Sequence, residues 1–126
     1  MPYSILLLCR RKEGLTPAEF KDYFETHHVL LIKKLTGEYF PETHQRYYIE
    51  RDGQGNFPAR MLVGDDMEYD AVCVMTWAEE PVAQKYFAKV QEPDAFKQVM
   101  DDDARFVDRA STKLVVFGDL CVTTRA

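Results

Sequence analysis

Three histidines, His27, His28 and His44, have ordinary pKa values close to operating pH, so they are first in line to take or give a proton. His27 and His28 fall in a stretch of helical periodicity whose inward stripe is Phe20, Phe24, Leu31 and Leu35. At about 100° per residue the two imidazoles flank that stripe on opposite sides, so a regular helix cannot aim both at one spot. Such a pair more often serves at the surface or in a structural bond. A half-buried imidazole beside aromatic rings would nonetheless suit acid/base chemistry. Tyr23, Tyr39, Tyr47 and Tyr48 carry hydroxyls able to hydrogen-bond an enolate or phenolate oxygen, and each is equally a core or rim ring with its hydroxyl in water. Trp77 joins them at a strand position that could border a cavity.

The carboxylates are less pointed. Asp101, Asp102 and Asp103 form a run of like charge near a helix end, which reads as a solvated face. Asp108, just before the last predicted strand, is placed to cap backbone amides or to hold a partner across a loop. No metal site is expected, since there is no H-x₃-H pair and Asp22 and Glu25 fall on the polar side of the helix. Nucleophilic catalysis has little support. The only serines are Ser4 and Ser111, no G-x-S-x-G is present, and no cysteine lies near a histidine in sequence.

The elements that must hold these groups are legible. Residues 3–9 (YSILLLC) form an apolar run that predicts a buried strand, followed by a polar turn over 10–15. Thr16, Pro17 and Glu19 make a helix start with a capping box, and Gly37 supplies the stop after about Thr36. A second strand is predicted within 39–50 and a third at 70–77 (DAVCVMTW). Pro81 and Pro93 open two helices, 82–91 and 94–104, and 113–117 (KLVVF) is a fourth strand. The Gly-, Pro- and Asp-rich stretch 51–68 is long for a connection, which makes it a candidate lid or interface loop. The order predicts an α+β, ferredoxin-like split βαβ plan: a four-stranded antiparallel sheet with helices on one face. The first and third strands are apolar at nearly every position, so a homodimer through the bare sheet faces is expected.

Composition narrows the function classes. The 126 residues fit one domain over 1–126, and 16 basic against 21 acidic residues give a net charge of −5, which disfavours nucleic acid. No secretory or membrane-spanning segment is read, and Cys9, Cys73 and Cys121 have neither metal-ligand nor redox spacing. Reduced thiols are therefore expected, and with them a cytoplasmic location. Aromatics make up 13% of the chain. Phe20, Phe24, Phe87 and Phe96 fall on helix faces that pack on the sheet, which assigns the phenylalanines to the core and some of the tyrosines to a ligand.

The stretch CRRKEGLTPAEFKDYFETHHVLLI resembles the opening of EthD-domain proteins, with its strand, R-K-x-G-L-T turn and helix carrying an aromatic four residues before a histidine. YDAVCVMTW is similar to the third strand of that family, and DAFKQVMDDDARFVDRAS to its last helix with a closing Phe-x-Asp. The resemblance implies a dimeric α+β barrel. It places the family histidine at His28 and the Phe-x-Asp aspartate at Asp108, both as catalytic residues. Phe24 stands where the family often has tryptophan, and so enters the substrate-binding set with Tyr23, Tyr39, Tyr47, Tyr48 and Trp77.

The fungal branch of the family further implies a cofactor-free lyase, a decarboxylase or dehydratase of a small aromatic or polyketide substrate. His28 would be its acid/base and tyrosines would orient the carbonyl. Ring cyclisation or isomerisation shares the same proton logic. A monooxygenase of the same barrel superfamily is the second reading, set back by Trp77 being the one tryptophan where an Asn–Trp–His set is usual. A non-enzymatic small-ligand binder is the third, since fold does not fix function.

Overall fold

Seven residues with β-forming character make β1 (Tyr3–Cys9), which turns through Gly14 into the capped start of a helix. The computed structural model describes every residue from Met1 to Ala126. Thr16 accepts from the Glu19 amide while the Glu19 carboxylate accepts from the Thr16 amide, the reciprocal box expected from T-P-A-E. Helix α1 (Pro17–Tyr23) passes into one π turn (Phe24–His28) and continues as α2 (Val29–Thr36). Gly37 ends it with φ +56, a left-handed angle that costs glycine little.

The π turn corrects the predicted inward stripe. A regular helix would bury Leu31 and Leu35; the structure leaves them half-exposed and buries Ile32 and Thr36. One π turn absorbs an extra residue, which rotates everything after it by one position. It also brings His28 into line with Phe24 and Ile32, facing inward, while His27 is exposed and stacks on Tyr23 at 4.7 Å.

A short 3₁₀ turn (Gly37–Tyr39) holds Tyr39, so β2 starts later than predicted, at Thr43–Tyr48. β3 spans Ala71–Trp77, followed by α3 (Glu80–Gln91), α4 (Pro93–Phe106) and β4 (Lys113–Val116). The strands lie in the order β2-β3-β1-β4 with antiparallel neighbours, the ferredoxin-like arrangement expected from the element order. Cys73 pairs with both Leu7 and Arg46 in register.

Strand alternation sorts the faces. Ile5, Cys9, Cys73, Met75 and Trp77 are buried under the helices, while Leu6, Leu8, Val72 and Val74 stand half-buried on the open face. Two apolar cores form on the covered side. One centres on Phe20, Phe24, Cys73 and Phe106, the other on Ile5, Ile32, Met75, Trp77 and Tyr86. Cys9 and Cys73 are free thiols, raised by burial well above the ordinary range, so they sit as apolar filling.

The 51–68 connection is tied down at its base by Arg51. The guanidinium donates to the carbonyls of Phe57 and Met67 and to that of Tyr69 at 2.9 Å, and its Nε lies 2.7 Å from Asp70. Arg11 Nη1 donates to the same Asp70 oxygen, Oδ1, at 2.6 Å, and the Arg11 backbone amide donates to Oδ2 at 2.9 Å. This loop borders a polar groove with residues of the β1–α1 turn and contributes nothing to the apolar cavity described below.

Candidate functional site

Between the two cores lies a cavity of about 190 Å³, lined mainly by Ile32, Phe40, Met75, Phe87, Phe96 and Phe106. Its exposed lining residues, Gln91, Met100, Arg109 and Leu114, mark an open side. Three groups on this apolar wall can carry a proton or a charge: His28, His44 and the Asp103–Arg109 pair.

His28 is fixed from behind. Its Nδ1 lies 2.7 Å from Asp102 Oδ2, and the other Asp102 oxygen accepts from the Tyr23 hydroxyl at 2.5 Å. An ionised carboxylate only accepts, so His28 Nδ1 carries the hydrogen and Nε2 keeps a bare lone pair with no protein partner. Burial by itself would raise the Asp102 carboxyl. The bonds from His28 and Tyr23 outweigh it and hold the group below its ordinary value. Tyr23 is pushed up to about 12, by desolvation first and then by the carboxylate it serves. Asp103, 3.8 Å from His28 Nδ1, is too distant to bond it; burial raises its carboxyl despite His28 and Arg109 nearby. Arg109 donates to Asp103 at 2.5 Å.

The expectation that Asp101, Asp102 and Asp103 form a solvated face is therefore wrong for Asp102, which is buried. A signal for it was present in the sequence. Ala95, Val99, Asp102 and Phe106 repeat at helical spacing, and all four turn inward on α4. The carboxylate that bonds His28 is thus Asp102, whereas the resemblance names Asp108 as the catalytic aspartate. Asp108 itself accepts from Ser111 at 3.1 Å inside the Arg109–Ser111 turn and borders the polar groove instead of the cavity. Glu25, read as a polar-face residue, is in fact bonded to Arg46 (2.6 and 3.0 Å) and to the Tyr48 hydroxyl (2.5 Å), chiefly through which its carboxyl is lowered.

The predicted aromatic set falls differently from expectation, and none of its six residues lines the cavity. Phe24 is fully buried behind it, its edge toward His28 at 5.3 Å and His44 at 6.4 Å. Tyr23 and Tyr48 spend their hydroxyls on Asp102 and Glu25. Trp77 is buried and donates to the Tyr39 carbonyl at 2.8 Å. Tyr47 points to the open sheet face, 63% exposed, because β2 alternates and Tyr48 takes the inner side. Phenylalanines, with Tyr86, line the wall in their place.

No group of three or more His, Cys, Asp or Glu side chains is arranged to hold a metal ion, and no helix is long and apolar enough to cross a membrane.

The family model of the EthD domain matches residues 12–110. Among solved structures, the chain is similar to an ethyl tert-butyl ether D (EthD) family protein from Bacillus halodurans, with 14% identity over 95% of this chain and 100% of the other, at a TM-score of 0.59. An EthD-like protein from Ralstonia eutropha is 12% identical over 98% and 96% of the two chains, at a TM-score of 0.57. A dimeric ferredoxin-like protein of unknown function from Thermobifida fusca is 16% identical over 93% and 90%, at 0.52. At these identities the likeness concerns the fold. No curated protein sequence matches.

Proposed function

For this chain, which belongs to the EthD-domain family, we propose a cofactor-free lyase that decarboxylates or dehydrates a single-ring aromatic or cyclic β-keto substrate of the polyketide type, with His28 as its acid/base. The observation that carries this reading is the Tyr23–Asp102–His28 chain, which presents a bare Nε2 at the wall of an apolar cavity. A dry cavity of roughly 150 Å³ takes up benzene, so 190 Å³ has room for one ring with its substituents.

The chemistry asks little of the protein beyond placement. In decarboxylation His28 Nε2 takes the proton of the substrate's carboxyl group, the C–C bond to the carboxylate breaks, its electron pair moves into an enolate, CO2 leaves, and the α-carbon takes the proton back from His28. In dehydration His28 removes the α-proton and hands it to the β-hydroxyl, whose C–O bond breaks as it departs as water. In both, a general acid/base contributes on the order of 10²–10⁴ in rate. At the open side the Arg109 guanidinium is paired with Asp103.

A homodimer belongs to the same reading. Leu6, Leu8, Val72 and Val74 make an apolar open face with no helix over it, and the Thermobifida fusca neighbour is described as dimeric.

The test is turnover of monocyclic β-resorcylic acids and their non-aromatic β-keto precursors, followed by CO2 release and by mass of the product. His28→Ala should lose at least about 10² in kcat/KM while still giving a folded protein by circular dichroism. Equal rates in the two proteins would overturn the assignment.

A further inference from the structure

His44 has no part in the mechanism above, yet it lines the same cavity from the opposite element, β2. We infer that His44 is a neutral hydrogen-bond donor locked by Arg46 in its Nε2–H form, which with His28 makes a donor–acceptor pair that selects ligands bearing an oxyanion on the ring. The inference deepens the acid/base reading of the cavity and rests on it for the catalytic consequence, though not for the state of the ring.

The argument is one of donors and acceptors. Arg46 Nη1 lies 3.1 Å from His44 Nδ1 and also donates to the His44 carbonyl at 2.8 Å. A guanidinium can only donate, so Nδ1 must accept, and the ring hydrogen is left on Nε2. Nothing in the protein accepts from that Nε2–H, and the ring edge that carries it is free for whatever fills the cavity. Arg46 cannot easily swing away. Its Nε and Nη2 grip both oxygens of Glu25, which Tyr48 also bonds.

The charges around the ring keep it neutral. Arg46 on its own strand and His28 from the π turn both oppose a proton on His44, while Glu25 favours one. Burial is the largest influence, and together these bring the group down to about 4. Phe40 stacks on the ring at 6.0 Å and Phe24 meets it edge-on, which holds its plane.

His28 has the reverse polarity, since its Nδ1–H is spent on Asp102 and its Nε2 accepts. A ligand bridging the two therefore needs an acceptor at the β2 side and a transferable proton at the helix side. A phenolate or enolate whose ring also carries a hydroxyl or an acidic C–H meets both demands. A purely hydrocarbon ring meets neither, and a cationic ring lacks the acceptor. In an apolar wall, an N–H that stays neutral can stabilise developing negative charge without giving up its proton.

Nitrogen-15 NMR of the whole protein reads the tautomer directly. His44 should show a protonated Nε2 and a bare Nδ1 from about pH 5 to about pH 8, and Arg46→Met should release that preference. The probe for the second arm is 4-nitrophenol, whose phenol and phenolate forms differ in absorbance. The wild type should bind the phenolate about tenfold more tightly than the phenol, the preference should survive His44→Gln, which keeps an N–H, and it should vanish in His44→Phe. A protonated Nδ1 on His44 at neutral pH, or an unchanged phenolate preference in His44→Phe, would overturn the inference. If the tautomer and the preference hold while His28→Ala has no effect on turnover, the lyase reading fails and the His44 assignment stands.

Discussion

A depressed histidine makes the protein sensitive to mild acid, and the size of the effect follows from the structure. His44 falls from an ordinary 6.5 to about 4 in the folded state, chiefly through burial and then through Arg46 and His28. The unfolded chain binds a proton at this site below about pH 6.5, whereas the folded chain resists until about pH 4. Stability from a neutral His44 is therefore complete above about pH 6.5 and declines as pH falls toward 4. At ~1.36 kcal/mol per pH unit, the whole fall makes about 3 kcal/mol. With a urea slope of about 2 kcal/mol/M for a domain of this size, the unfolding midpoint should drop by about 1.5 M across that window. Carboxylates titrate mostly below it, and His27 and His28 are common to both proteins when wild type is compared with His44→Gln. The variant should lose most of the pH slope between about pH 6.5 and about pH 4 while sharing the steeper loss below it. Equal slopes in the two proteins would refute the claim that burial and Arg46 keep this ring neutral.

Asp102→Asn keeps the shape but removes one of two acceptor sites for His28 and Tyr23; at about 1.5–3 kcal/mol for a bond to a charged group, Tm should drop by roughly 6–12 °C at neutral pH. The Asp102 carboxyl is lowered in the folded state, so this difference should be present above the ordinary carboxylate range and shrink as pH falls through the folded value, read by circular dichroism melts. Tyr23→Phe should abolish a tyrosine ionisation near pH 12 in an absorbance titration and cost about 1 kcal/mol by urea unfolding. Val74→Glu with Leu6→Lys places charges on the open face, where the two residues pair in register, and should leave a folded monomer by sedimentation. A dimer unchanged by both charges would exclude that face as the interface.

The elements were legible because their signals are local. Thr16, Pro17, Glu19 and Gly37 satisfy or terminate backbone bonds within a few residues of themselves, and strands 3–9 and 71–77 carry apolar runs that water excludes whatever surrounds them. From those the ferredoxin-like order and its bare sheet face followed. His28 was singled out from His27 only through the resemblance to the EthD family, since the two are alike as residue types.

What the residues could not disclose alone was which side of each element faces which partner. The π turn at Phe24–His28 shifts the helix by one residue, and that slip turns His28 inward and Leu31 aside. Asp102 differs from Asp101 only in lying on the stripe that meets α1, 74 residues away from His28 in the chain. The hydroxyls of Tyr23 and Tyr48 went to carboxylates and the phenylalanines became the wall, because a buried carboxylate must find donors whereas a cavity for a flat ring needs none. Local propensity and patterning thus determined the elements and their order; long-range packing, through burial and the matching of donors to acceptors, decided which carboxylate bonds His28 and which histidine shares its cavity.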